Sequence, residues 1–344
     1  MTVKGLCFSL AKANGTSGDE FEACSVAESF LSEYMTVHTD KIGSLVGTVG
    51  NGKFRILLDA HIDRIGLVVR GIDEKGFLLV SAIGGADPRV LVGAKVTVHG
   101  REPLLGVVCS TPPHLMKKED AEKGVEIKSL AVDIGFSKAE AEKLVSIGDR
   151  ITVESEQLSL LGNRIVSPAL DDRCGVAALI LAIEAVHDKL KNCCIMLQLS
   201  SREEAGGAGA KTAAYNADSD VAIVVDVGFG SDPHCSKTEA NELSKGPSIG
   251  ISPTLDRNLM LELVQIAKEN EIPYQHDVMS GRTGTNADQI NVSRGGVRTA
   301  LLSIPLRNMH TQVEVIDIAD IENTAKLIAR YILKKEAELD AQNS

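Results

Sequence analysis

The 344-residue chain has a formal net charge of −11, 44% hydrophobic and 24% charged residues, and only 3% aromatics with no Trp. That balance fits one large soluble globular domain or two smaller ones. It excludes the basic surface that phosphate neutralisation needs, so no nucleic-acid partner is expected, and it leaves few rings to stack on sugars or bases. The seven cysteines are odd in number and contain no C-x-x-C, which fits a reducing cytoplasm rather than a disulfide framework. The N-terminus lacks the basic segment and apolar core of a secretory leader, and no apolar run is long enough to span a membrane. A cytoplasmic protein without a membrane partner is the expectation.

In chain order, Ser17 with Glu20 three residues later predicts a capping box. It opens a helix with Phe21, Val26, Ala27, Phe30 and Leu31 on one face. Residues 54–58 are the first buried strand, running into Asp59-Ala60-His61-Ile62-Asp63. From Gly66 to about Glu156 the texture changes to short β-rich runs at 67–71, 77–82, 94–98, 105–109 and 151–153, separated by Gly or Pro turns. One helix fits there, from Ser137 to about Val145, with Ser137 and Glu140 as a second capping box. Many short strands without long helices predict a small β-barrel or sandwich inserted into the main domain.

After Gly162 helices at 174–190, 208–215, 258–269 and 318 to about 338 alternate with strands at 193–199, 221–225, 274–278 and 297–304. Residues 340–344 are expected to fray. Strands alternating with helices predict a largely parallel sheet covered on both faces. The fold class is therefore α/β with an inserted small β-barrel-like domain. It divides into 1–66 and 159–344 for the catalytic α/β part and 67–158 for the insertion.

Apolar strands of the α/β part end in residues able to bind a metal. The first delivers His61 and Asp63, the second Glu203 and Glu204, the third Asp226, and the last is followed by His310. Asp171-Asp172 stands just before a helix, where the N-terminus tolerates anions. Each has an ordinary reading: a satisfied strand-end histidine, a helix cap for Asp172, a solvated loop for the glutamate pair, a turn acceptor for Asp226, a surface His310. Their coincidence at one end of one sheet, where open α/β sheets form sites, favours a metal. Histidines with carboxylates suit zinc, with cobalt or manganese as alternatives, and with two ions one Asp would bridge them. Ser200-Ser201 lacks a nucleophile elbow. Gly206-Gly207-Ala208-Gly209 lacks the rest of a phosphate loop and reads as a close-packing turn. Cys174 and Cys193-Cys194 read as packing residues.

Five stretches, 59–63, 169–173, 203–206, 225–227 and 309–311, resemble in order the motifs of the M42 family of metallo-aminopeptidases. That family includes tetrahedral aminopeptidases, glutamyl aminopeptidases and proteins once labelled endoglucanases. Residues 83–88 are similar to its inserted domain. The resemblance implies two divalent metal ions held by His61, Asp171, Glu204, Asp226 and His310, with Asp171 bridging. It implies that Asp63 orients His61 through its other ring nitrogen. Glu203 would be the general base, moving a proton from a metal-activated water to the leaving amine. The implied reaction is hydrolysis of the first peptide bond of short unfolded peptides, by a homo-oligomer built on dimers through the inserted domain, up to a dodecamer. Arg64 stands where the family commonly has Glu, and Asn286 where it commonly has Asp. Asp288 and Arg282 also depart from the pattern, on the presumed substrate side. A metal hydrolase acting on an acylated amine or a glycoside, and a non-catalytic homologue, are the alternatives.

Overall fold

The computed structural model describes residues 1–115, 124–233, 235 and 240–343. Its strands are β1 (Thr36–Thr39), β2 (Leu45–Val49), β3 (Phe54–His61), β4 (Gly66–Ile72), β5 (Leu78–Ile83), β6 (Lys95–His99), β7 (Pro103–Cys109), β8 (Ala131–Asp133) and β9 (Arg150–Val153). There follow β10 (Leu158–Ser159), β11 (Arg164–Ser167), β12 (Cys193–Ser200), β13 (Val221–Phe229), β14 (Ser248–Ile251), β15 (Gln275–Val278), β16 (Arg298–Leu306) and β17 (Glu314–Asp317).

An eight-stranded sheet runs β1-β2-β12-β3-β13-β16-β14-β15. Its central strands β12, β3, β13 and β16 are parallel. They are nearly continuous apolar runs, as burial on both faces demands. The flanks are mixed: β1, β2 and β12 pair antiparallel, as do β16 and β14, while β14 and β15 are parallel. The helix Leu170–Val186 is buried along most of its length against this sheet, with the N-terminal helix Val3–Lys12 and the long C-terminal helix Ile318–Asn343 packed against it. One core joins these helices to residues such as Ile56, Leu58, Ile195, Ile223 and Leu302.

Strands β4-β5-β8-β7-β6-β9 close into an antiparallel barrel with its own core, including Leu78, Val80, Val96, Val98 and Val132. The helix Lys138–Leu144 carries the expected Ser137–Glu140 capping box. A small sheet, β10-β11-β17, completes the fold.

Several local expectations are corrected. The Ser17–Glu20 capping box does not form: the Ser17 hydroxyl donates to Asp63, and Glu20 accepts from the backbone N–H of Gly18 and Arg202. Long-range partners compete better for both groups than the helix end does. Phe21, expected on the buried face, is exposed, while Ala23 and Cys24 are buried beside Ala27 and Leu31. The C-terminal helix continues through the residues expected to fray, as far as Asn343, and Ser344 lies outside the described residues. Among the described residues no helix is long and apolar enough to cross a membrane.

Candidate metal centre

The parallel register brings the acidic strand ends together. His61 ends β3 opposite Ser200 of β12, and Val224 of β13 lies opposite Asp59. Asp226 therefore sits within β13 rather than past its end, because that strand continues to Phe229. Asp171 and Asp172 fall outside helical geometry at the start of Leu170–Val186, and the peptide bond between them is cis. Asp172 caps the helix behind them, accepting from the N–H of Gly175 at 3.1 Å.

Asp171 faces two ways. One carboxylate oxygen lies 2.9 Å from His61 Nε2, the other 3.3 Å from His310 Nε2. Glu204 is 3.3 Å from the same His310 nitrogen, and Asp226 lies 3.9 Å from His61 Nε2. Two sets of ligand atoms result, His61–Asp171–Asp226 and Asp171–Glu204–His310, each within 4.8 Å and sharing Asp171. His61 Nδ1 lies 3.0 Å from the backbone carbonyl of Asp63, to which it can only donate. That fixes the tautomer and turns a lone pair on Nε2 toward the carboxylates. A lone pair and several buried carboxylates aimed at one another need a cation between them, so the donor set fits divalent metal.

The proton affinities express the same demand. Burial opposes charging His61, yet the hydrogen bond to Asp171 and the nearby carboxylates of Asp63 and Asp226 hold its pKa well above the ordinary imidazole range. Asp171 and Glu204 push His310 up to about 11. Burial and surrounding negative charge drive Asp226 well above the usual carboxylate range. Burial pushes Glu203 up to about 7, with Glu204, Asp63 and Asp171 adding to it against His61. Protons stand here where a metal's charge would.

Asp63 holds the His61 ring through its backbone, its carboxylate lying 3.6 Å from Nδ1. That carboxylate instead accepts from Ser17 Oγ at 2.6 Å and from the N–H groups of Glu203 and Glu204 at 2.9 and 3.1 Å. It thus sets the turn that carries both glutamates. Gly209, in the helix after that turn, allows the close approach: a Cβ there would meet Ser201 backbone at 2.3 Å.

One carboxylate escaped the sequence reading. Glu314, at the start of β17, accepts from the N–H of Asp171 at 3.1 Å and of His310 at 3.0 Å, one on each oxygen. It joins the two ligand sets from behind, and burial with the Asp171 charge pushes it up to about 8. Its strand is short and lies in a separate small sheet, so no long apolar run announced it. Asn286, expected on the substrate side, is buried beneath the site and donates to Asp59 at 3.0 Å. Asp288 accepts from the N–H groups of Thr283 and Gly284 within its own loop. Arg64 does line the cleft beside Asp171, Glu204 and His310, together with apolar Ile65, Leu67, Ala86 and Val90.

The M42 glutamyl aminopeptidase family model matches residues 43–327. The lysyl aminopeptidase of Pyrococcus furiosus is 35% identical over 310 residues, covering 88% of each chain. An aminopeptidase of the archaeon Desulfurococcus kamchatkensis superposes with a TM-score of 0.89 at 34% identity, covering 96% of this chain and 94% of its own. The TET1 peptidase of Pyrococcus horikoshii, which can assemble into a tetrahedron or a large octahedral shell, superposes with a TM-score of 0.86 at 31% identity over 96% and 99%. With the family's α/β sheet and inserted barrel, and two histidine–carboxylate sets sharing one aspartate, the chain belongs to the M42 peptidase family and is a peptide hydrolase of the aminopeptidase kind.

Proposed function

We propose that this chain removes the N-terminal residue from short unfolded peptides with two divalent ions, zinc before cobalt or manganese, and Glu203 as proton carrier. The sharing of Asp171 between two ligand sets carries the reading. His61 and Asp226 would hold one ion, Glu204 and His310 the other, with Asp171 between them. When bound, the ions supply Lewis acidity to the peptide carbonyl and lower the pKa of water. Glu203 takes a proton from the attacking water as its oxygen bonds to the carbonyl carbon. The C–N bond then breaks, and Glu203 gives the proton to the departing amine nitrogen. Asp63 holds the backbone of Glu203 while it does so.

Residues 67–158 are proposed as the inserted domain through which copies pair, with 1–66 and 159–344 as the catalytic part. A dimer-based homo-oligomer, as large as a dodecamer, is proposed with them, supported by a shell-forming relative and by a dodecameric one. Sedimentation of the full chain reads its size.

The decisive experiment is metal analysis of chelator-free protein, with amino-acid release from a free and an N-acetylated copy of one peptide. About two ions per chain and cleavage of the free peptide alone are expected, and chelation abolishes release. Equal cleavage of the blocked peptide overturns the aminopeptidase reading, and one ion per chain at full activity overturns the dinuclear one.

A further inference from the structure

Three consecutive backbone N–H groups lead into the glutamate pair, and each meets a buried carboxylate from the N-terminal part of the chain. Glu203 and Glu204 donate to the two oxygens of Asp63. The third donor, Arg202, gives its N–H to Glu20 Oε1 at 3.2 Å. Glu20 is 4% exposed, and the same oxygen accepts from the N–H of Gly18 at 2.6 Å. Its other oxygen is closely packed: a Cβ on Gly43 would come within 3.3 Å of it.

Glu20 ends a segment that is tied to the Asp63 turn. Arg64 donates its N–H to the carbonyl of Gly15 at 3.0 Å, and Ser17 donates its own to the carbonyl of Arg64 at 3.1 Å. The Ser17 hydroxyl donates to Asp63. The segment therefore reaches the glutamate turn twice, through Ser17 and Asp63 and through Glu20 directly.

The backbone says what Glu20 holds. Arg202 has a φ of +59°, the left-handed region that an L side chain keeps only when its surroundings fix it. The N–H of Gly207 fixes its carbonyl at 2.8 Å, and Glu20 fixes its N–H. Without Glu20 that N–H loses its acceptor, and the residue is free to turn back to an ordinary φ. Such a turn swings the peptide that enters Glu203. Glu204 stands one peptide further on and keeps its own oxygen of Asp63, so the proton carrier moves more than the ligand does. Glu203 is close enough for its charge to act with those of His61, Asp171 and Asp226.

We infer that Glu20 is a positioning residue: by accepting the Arg202 N–H it holds the left-handed turn that keeps Glu203 in reach of the two ligand sets. The inference rests on the reading of Glu203 as proton carrier. What matters is an acceptor oxygen at that place, so Glu20→Gln keeps the function, while Glu20→Asp keeps the charge and withdraws the oxygens by one methylene.

Metal-loaded full-length protein is assayed on one unblocked dipeptide, with the Glu20 variants made in the wild type and in Glu203→Gln. Glu20→Ala and Glu20→Asp are expected to lower kcat about 10–100-fold with KM nearly unchanged, the scale of a misplaced reacting group. Glu20→Gln keeps most of the rate, and bound metal stays at the wild-type value. In Glu203→Gln the same changes cost no further rate, because residues that act through one step do not add. Should Glu20→Ala fail to fold, Glu20→Asp against Glu20→Gln decides alone. Hydrogen exchange over residues 200–207 reads the anchor without turnover and is faster in Glu20→Asp than in the wild type or Glu20→Gln. A full rate in Glu20→Asp, an equal loss in both backgrounds, a loss of metal, unchanged exchange, or a Glu20→Gln as slow as Glu20→Asp overturns the inference. Faster exchange in Glu20→Asp beside near-normal turnover in Glu203→Gln loses the proton-carrier reading and keeps the anchor. A slow Glu203→Gln beside Glu20 variants that match the wild type in rate and exchange does the reverse.

Discussion

The barrel and the carboxyl end of the parallel sheet are both buried β structure, yet they treat charge in opposite ways. In the barrel, β6 alternates buried Val96 and Val98 with more exposed Lys95, Thr97 and His99, and the buried valines join an apolar core with Leu78, Val80 and Val132. At the sheet end Asp59, His61, Asp63, Asp171 and Asp226 are all buried. A strand with one face in water can turn its polar groups outward. The central strands of the sheet are covered on both faces and cannot, so their polar ends must find hydrogen bonds or a cation. The barrel therefore has only packing to lose, whereas the sheet end gives up packing for chemistry.

The sharpest way to break this contrast is Glu203→Gln. It leaves the turn held by Asp63 intact and should lower kcat by about 10²–10⁴-fold with an unchanged circular dichroism spectrum. Near-normal turnover would remove Glu203 from the proton path. The complementary change is Leu78→Ala in the barrel, where the side chain is fully buried. It should cost about 2–5 kcal/mol in denaturant unfolding and leave the bound metal stoichiometry unaltered. A loss of metal in this variant would show that the barrel core and the site are one cooperative unit.

Smaller effects refine the picture at the sheet end. Glu314→Gln keeps one acceptor oxygen where two N–H groups converge. Competition against a chelator should show metal affinity about 10–100-fold weaker, the usual range for a group that orients ligands. Unchanged affinity would make Glu314 a packing residue.

The mildest test uses pH. Burial pushes Asp320 from an ordinary 3.8 up to about 6, against hydrogen bonds from the N–H groups of Ser244 and Gly246. The folded state holds this proton more tightly than the unfolded chain. Its contribution is full below the unfolded value and is lost as pH rises through the folded one. Asp320→Asn should flatten unfolding stability across that window, and an unchanged slope would place the titration elsewhere.

Much of this was legible in the chain. Short, almost wholly apolar runs such as 193–199, broken only by Gln198, and 221–225 read as buried strands, and their alternation with helices predicts the parallel centre of the sheet. Short alternating runs between Gly66 and Glu156 likewise announced the barrel. The edge strand β1 and its short neighbour β2 give no such signal, because both are partly exposed and neither is a continuous apolar run. β8 is three residues long and was missed for want of length.

The sequence by itself determined which residue types stand at the strand ends, because a buried run that stops in an acid or a histidine is visible locally. His61, Glu203, Glu204 and Asp226 stand out on that ground, His310 as a histidine shortly after the last strand, and Asp171 as an acid just before a helix. How they divide was implied by the family resemblance, and the distances between them come from the tertiary structure. Asp171 could be seen to face two histidines only when strands far apart in sequence were brought into register. Only then did Ser17 leave its helix cap for Asp63, Glu314 arrive from a separate sheet, Asn286 sink beneath the site, and Arg64 come to line the cleft. Hydrogen bonds and charges act over a few ångströms of space, and a chain order cannot say which distant groups will share that space.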